Sequence, residues 1–301
     1  MVDSEPGTAT GQVPRSSAGP VQALGPDRAE VGEGPHWDPE GNLLWWVDLL
    51  AGLVHSASLS TGDVSTWSLG WPVGAVIKRE RGGFVLADRE GFSFLDAAGA
   101  PVGRTKVLSA GQRMNDAKAD PAGWLWSGAT AMDFSAGQGA LWVLRPDGQA
   151  EQVLDGLTLP NGLGWSPDGQ TFYLVDSVQG WLKAWDFVPG RGITGPARTL
   201  VEFAGPAQPD GLCVDAQGSI WLALWGGSRL ERYGPDGAAL GPLPLPVAQP
   251  SSCTFAGPDL GTLVITSARL GLDDGAGDLD GAVLVVPRPG ATGLPTARFG
   301  G

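Results

Sequence analysis

EGPHWDPEGNLLWWVD, residues 33–48, contains the pattern that decides the fold. A polar residue, Glu33, opens a short alternating run, a turn marked by Pro39 and Gly41 follows, and the chain returns as the β-rich run NLLWWVD. Glu33 stands eight residues before Gly41. The same spacing recurs at Gly74 and Gly82, Asn115 and Gly123, Asn161 and Gly169, and Asp210 and Gly218. A sixth copy, longer by one, sets Ser252 before Gly261. One structural slot therefore returns every 41 to 49 residues, the mark of a repeat architecture.

The runs that follow the later turns are GGFVLAD, WLWSGAT, QTFYLVD, SIWLALW and TLVITSA. Each is short, rich in aromatic and β-branched residues and bounded by turn residues, which predicts strands joined as hairpins. Further candidates such as VHSASLS with VSTWSLG, and WLKAWDF with ARTLVEF, bring each unit to about four strands, one propeller blade. The expected fold is all-β, a six-bladed β-propeller, with the slot residues at the start of each innermost strand and at one mouth of a central channel. A strand from VQALGPD (21–27) or the carboxyl-terminal TARF (296–299) is expected to complete the sixth blade.

Composition sets the frame. The 301 residues include 48 Gly and 25 Pro, with 13 Trp against 2 Tyr, so the chain is turn-dense with large apolar anchors rather than helical. One domain over residues 21–301 is expected, because repeat folds of this length form a single unit. Residues 1–20 lack an apolar period and a basic start; they read as a disordered tail and not as a secretory signal. A net charge of −13 repels phosphate backbones and anionic lipid heads, which excludes nucleic-acid and membrane partners. The apolar stretch 43–54 is interrupted by Asp48 and is too short for a membrane span. Two cysteines, Cys213 and Cys253, are too few for a disulfide framework; they read as small core residues in a cytoplasmic protein.

Four of the six slots carry a carboxylate or amide: Glu33, Asn115, Asn161 and Asp210. An Asp or Asn at a strand start often only caps a turn, but capping needs no equivalence between blades. Convergence of four such slots on one axis points instead to hard oxygen donors for a divalent cation. Asp48, Asp88 and Asp176 end second strands and read as turn residues. Trp45, Trp46, Trp124, Trp126 and Trp221 sit in strand runs and are expected to pack between blades, leaving Trp225, next to Gly226 and Gly227, as the candidate for substrate contact.

The sequences EGPHWDPEGNLLWWVD, RMNDAKADPAGWLWSG, LPNGLGWSPDGQTFYLVD and QPDGLCVDAQGSIWLAL, in this order and at these intervals, resemble the family of SMP-30, gluconolactonase and related sugar lactonases from about residue 30 to about residue 270. The resemblance implies one divalent metal held by Glu33, Asn161 and Asp210, with Asp210 also the general base, and Arg113, Asn115 and Asp116 of the RxND motif as substrate-binding residues. It implies a small sugar lactone, of gluconolactone or pentonolactone type, as substrate; a monomer is the expected form, although nothing in the residues fixes the oligomeric state. The oxygen ligands suit Ca²⁺, Mn²⁺ or Mg²⁺; neither histidine lies in a slot, which argues against an intrinsic zinc preference, although the family resembles a set that accepts several ions, Zn²⁺ and Fe²⁺ included. Two positions depart from the family pattern. His36 replaces an apolar residue and is expected to point away from the slot face, and the variable segment GATAMDF (128–134) offers Asp133 as a weak contact. The competing readings are an organophosphate or lipophilic-lactone hydrolase on the same fold and a non-catalytic binding propeller.

Overall fold

The computed structural model describes residues 19–272 and 275–301. Twenty-four strands form six antiparallel sheets of four, and no α-helix occurs among the described residues. No helix there is long and apolar enough to cross a membrane. Five sheets use consecutive strands, so blades I to V follow the chain. Their inner strands are Gly32–Asp38, Val73–Lys78, Gln112–Ala119, Pro160–Trp165 and Gln208–Val214.

Blade VI, with inner strand Gln249–Ala256, is closed by the amino-terminal strand Gln22–Ala23, which pairs with Leu284–Pro287. Closure of the ring therefore falls to the first of the two candidate segments and removes the exposed sheet edge. Nearly all of the 1–20 tail lies outside the described residues; Gly19, within it, donates its N–H to Pro287 O. TARF does something else. Phe299 buries between blades II and III, Gly300 N–H donates to Gly123 O, and Arg298 pairs with Asp38 and Glu40 of blade I, so the carboxyl-terminal segment becomes a strap beneath the ring.

The core is divided among the blade interfaces. Six apolar clusters lie one between each neighbouring pair, including blades VI and I. Trp45, Trp46, Trp126 and Trp221 are buried in them and Trp124 packs against the third, the inter-blade role expected for these residues. Trp126 and Trp221 each donate an indole N–H to the aspartate that opens their own hairpin turn, Asp120 and Asp215, so the large ring is buried with its polar atom satisfied. Cys213 and Cys253 are buried free thiols across the interface of blades V and VI.

The recurring glycine has a backbone reason. Gly82, Gly123, Gly169 and Gly218 have φ of 84°, 78°, 67° and 88°, a left-handed turn position that L side chains rarely adopt. In blades I and VI the position passes to the neighbours Asn42 and Leu260, at 50° and 51°. Counting back from Gly261 therefore misplaces the sixth slot. By register, Ser251 follows Pro250 as Asp210 follows Pro209, so Ser251 rather than Ser252 is the equivalent residue.

Candidate functional site

A register shift interrupts the pairing of the inner strand with its neighbour in every blade, and each shift falls beside the slot: Glu33/His36, Val73/Ala75, Met114/Ala117, Pro160/Leu163, Pro209/Leu212 and Pro250/Ser252. A bulge inserts extra residues on one strand, leaves them unpaired and re-aims their side chains. Here it frees Asn115, Asn161 and Asp210 from the ladder at one end of the channel. Gly162 and Gly211, which follow two of these residues, let the inner strands crowd together; a Cβ on Gly162 would lie 2.5 Å from Asp210 O, and one on Gly211 would strike Ser252.

Second strands hold the slots from outside. Asp48 accepts the N–H groups of Glu30 and Val31 at 2.8 and 3.1 Å, and Asp176 accepts those of Thr158 and Leu159 at 2.7 and 3.2 Å. Both fix the loop entering an inner strand, while Asp88 bonds Ser93 and Glu90 within its own hairpin. Asp88 thus acts as a turn residue and Asp176 also caps its own turn through the Gln179 N–H at 3.0 Å, but Asp48 bonds backbone 17 and 18 residues away and is not the turn residue its position suggests.

The slot mouth opens into a cavity of about 230 Å³ that contains Glu33, Arg113, Asn115, Asn161 and Asp210 in its lining. Each is nine-tenths or more buried. Arg113 Nη1 donates to Asn115 Oδ1 at 2.5 Å and to Met114 O at 3.1 Å, and Asn115 Nδ2 donates to Pro160 O at 3.1 Å. The Asn115 amide is thus committed at both ends to the protein. Asn161 Nδ2 donates to Ser177 Oγ at 3.2 Å, which leaves its Oδ1 as a buried oxygen without a partner. Asp210 Oδ1 and Asp116 Oδ2 are likewise buried and unpartnered. Asp116, read from the RxND motif as a substrate contact, does not line the cavity. It stands one residue further along the bulge, and its Oδ1 accepts the Ala117 N–H at 2.9 Å.

Electrostatics links the three carboxylates. Burial and the charge of Asp116 push Glu33 up to about 8, and burial, Glu33 and Asp116 together raise Asp210 well above the ordinary carboxylate range. Burial also raises Asp116. Two cations stand against them: Arg113 opposes Glu33 and Asp210, and Lys118 opposes Glu33 and Asp116; burial lowers Arg113 to about 10 but leaves it charged at neutral pH. Orphaned oxygens and mutually raised carboxyls are what a buried oxygen-ligand set shows without its cation, so the residues fit a divalent ion. Among the described residues no three His, Cys, Asp or Glu side chains form a metal cluster; a cation held by Glu33 and Asp210 would need the Asn161 amide as its third donor.

Sequence reasoning placed Trp225 at the substrate, and it does line the cavity, packed beside Val31, Leu49 and Ala268. Asp133 does not; its exposed carboxylate accepts the Ser135 N–H, and its neighbour Phe134 turns to the cavity instead. Phe134 and Gln208 lie at the edges of segments already singled out, GATAMDF and QPDGLCVDAQGSIWLAL, but neither was foreseen in the cavity, nor was Ser177. His36 is buried with Nε2 unpartnered, and burial lowers it to about 4. It lies at the opposite end of the channel, where a second cavity of about 450 Å³ is bounded by Lys118, Phe255 and the strap residues 294–297.

Comparison with known proteins agrees with this geometry. A family model described as SMP-30/Gluconolactonase/LRE-like region matches residues 31–269. Regucalcin of Danio rerio is 33% identical over 261 residues, covering 84% of this chain and 88% of that protein. The 6-deoxy-6-sulfogluconolactonase of Pseudomonas putida is 34% identical over 244 residues, covering 79% and 84%. A crystal structure of a calcium-binding protein, regucalcin from Agrobacterium tumefaciens, superposes with a TM-score of 0.89 at 28% identity, covering 93% of this chain and 97% of that one.

Proposed function

We propose, from the premise that this chain belongs to the SMP-30/gluconolactonase/LRE-like family, that it opens small sugar lactones to their acids in a reaction dependent on one divalent cation. The observation that carries this reading is the set of unpartnered buried oxygens at one channel mouth, Asp210 Oδ1 and Asn161 Oδ1 beside Glu33. Glu33, Asn161 and Asp210 would hold the cation, whose chemistry when bound is to polarise a carbonyl and acidify water. An oxygen-only donor set favours Ca²⁺, Mg²⁺ or Mn²⁺, and regucalcin of Agrobacterium tumefaciens is itself described as calcium-binding.

The chain's own residues supply the rest. The Asp210 carboxylate takes a proton from the water that attacks the lactone carbonyl carbon and returns it to the ring oxygen as the ring C–O bond breaks, which leaves an alcohol and a carboxylic acid that then ionises. Arg113, fixed by Asn115 and the backbone, presents its planar donor fork to a substrate oxygen. Because Asn115 is bonded to Arg113 and to Pro160 O, it acts by orienting Arg113 and blade IV as much as by meeting substrate. The Asp116 carboxyl, set behind them, adjusts the charge of the site through Glu33 and Asp210.

A panel of sugar lactones followed with a pH dye, with and without chelator, tests the reading. Acid release that chelation abolishes and Mn²⁺ or Ca²⁺ restores is expected. Acid release indifferent to chelator would remove the metal from the mechanism, and no release from any lactone would favour the binding propeller.

A further inference from the structure

The floor and the walls of the active cavity have opposite character. Glu33, Arg113, Asn115, Asn161 and Asp210 make a polar floor, whereas the rim above consists chiefly of Leu50, Phe134, Leu159, Trp225 and Leu270. Leu50, Phe134 and Leu270 are 38%, 44% and 40% exposed and are among the few large apolar side chains the described surface leaves open. They come from three different blade loops yet meet around one opening. Met132 and Val178, at 49% and 45%, stand in the same loops as Phe134 and Ser177. Apolar side chains scattered singly need no explanation, but a cluster around a polar site marks a binding surface.

Phe134 adds a second observation. Its φ of 55° lies in the left-handed region, an outlier for a bulky residue, and the turn is held by its N–H donating to Ala131 O at 3.0 Å. A strained backbone that points an aromatic ring at an opening rather than into a core is a feature of ligand sites. The polar groups of the wall are few. Ser177 Oγ accepts from Asn161 and keeps its own O–H to donate, and Gln208 offers an amide, so the wall has two polar groups.

We infer that the cavity also takes lactones carrying an apolar alkyl or aryl group on the ring edge remote from the carbonyl, beside the small sugar lactones proposed above. This rests on the lactonase reading above. The polar floor receives the carbonyl and ring oxygen, and the opposite edge of the ring then faces Phe134, Trp225, Leu50 and Leu270. Of the hydroxyls on that edge of a sugar ring, those beyond the reach of Ser177 and Gln208 would face apolar side chains, and a buried hydroxyl without a partner is unfavourable. An alkyl group there removes apolar surface of both partners from water.

The experiment measures kcat/KM along a ladder of γ-lactones from butyrolactone through valero-, capro- and heptalactone, with gluconolactone alongside. A rise of about fourfold per added methylene is expected until the cavity is full. Phe134→Ser and Leu270→Ser should each flatten the ladder, and because both side chains are substantially exposed these variants are expected to fold. A flat ladder with gluconolactone turned over best would overturn the inference and leave the lactonase reading standing. Turnover of no lactone would remove the lactonase reading and the inference with it.

Discussion

The two mouths of the channel are built from the same six strands, and they differ in what the strands leave unpaired. At the slot mouth, bulges release Asn115, Asn161 and Asp210 from the ladder and bury oxygens that find no protein partner. At the far mouth, pairing resumes, Lys118 Nζ reaches across to Leu212 O, and the strap ties blade I to blades II and III through Arg298 and Phe299. Strain and like charge accumulate at one end; pairing and packing accumulate at the other. The difference teaches that the repeat positions the chemistry through a fault in the ladder, while the rest of each strand secures the ring.

If that division holds, substitutions at the two ends should separate activity from stability. Asp210→Asn keeps volume and an oxygen but removes a charge and a proton acceptor, so turnover is expected to fall by about 10²- to 10⁴-fold. Added metal should not restore it, and the melting temperature should not drop, because one of three mutually repelling carboxyls has been neutralised. Parent-rate turnover at saturating metal would return Asp210 to the role of a ligand alone. Phe299→Ala should do the reverse. It empties a fully buried site between blades II and III and is expected to cost about 3–5 kcal/mol of stability, read by denaturant unfolding. Its kcat/KM should stay near the parent value below the transition, and a collapse of activity without loss of stability would break the comparison.

His36 gives the far mouth a pH signature. Burial depresses its imidazole from the ordinary 6.5 to about 4, so the folded protein keeps it neutral where the unfolded chain would protonate it. The stability tied to this group is complete above about pH 6.5 and is lost as pH falls toward 4, by about 3 kcal/mol once below both values. Because the raised Glu33, Asp116 and Asp210 carboxyls impose the opposite slope over the same range, the His36 signature is read as the difference in unfolding free energy between the parent and His36→Leu, which should shrink as pH falls from 6.5 toward 4. The smallest effect belongs to the amino terminus. Removing residues 1–18 is expected to leave both melting temperature and turnover unchanged, since the closing strand begins at Gln22; a lower melting temperature would show a role for those residues in closing blade VI.

Much of this was legible in the sequence, because it rests on local signals that repeat. In four of the six turns the glycine is fixed by its left-handed φ, and the strand runs carry their own β-branched and aromatic signature. Six blades and the slot residues of five followed from that spacing alone. The sixth slot slipped by one residue because Leu260 takes the turn position that glycine holds elsewhere. What pairing register decides was hidden: the bulges leave no mark in composition, and so Asp116 was read at the cavity wall when it stands behind it. The strap and Phe134 were equally hidden. Phe299 finds its pocket through contacts more than a hundred residues away, and the ring of Phe134 is aimed by a backbone conformation that no local propensity announces.

The central claim is that the slot mouth is a cation site made by Glu33, Asn161 and Asp210. Calorimetric titration of the chelator-stripped chain with Mn²⁺ tests it without any substrate. One saturable site per chain is expected, weakened at least about tenfold, or about 1.4 kcal/mol, in Glu33→Gln and in Asp210→Asn and unchanged in Phe299→Ala. Absence of saturable binding, or equal binding in Glu33→Gln and the parent, would contradict the account.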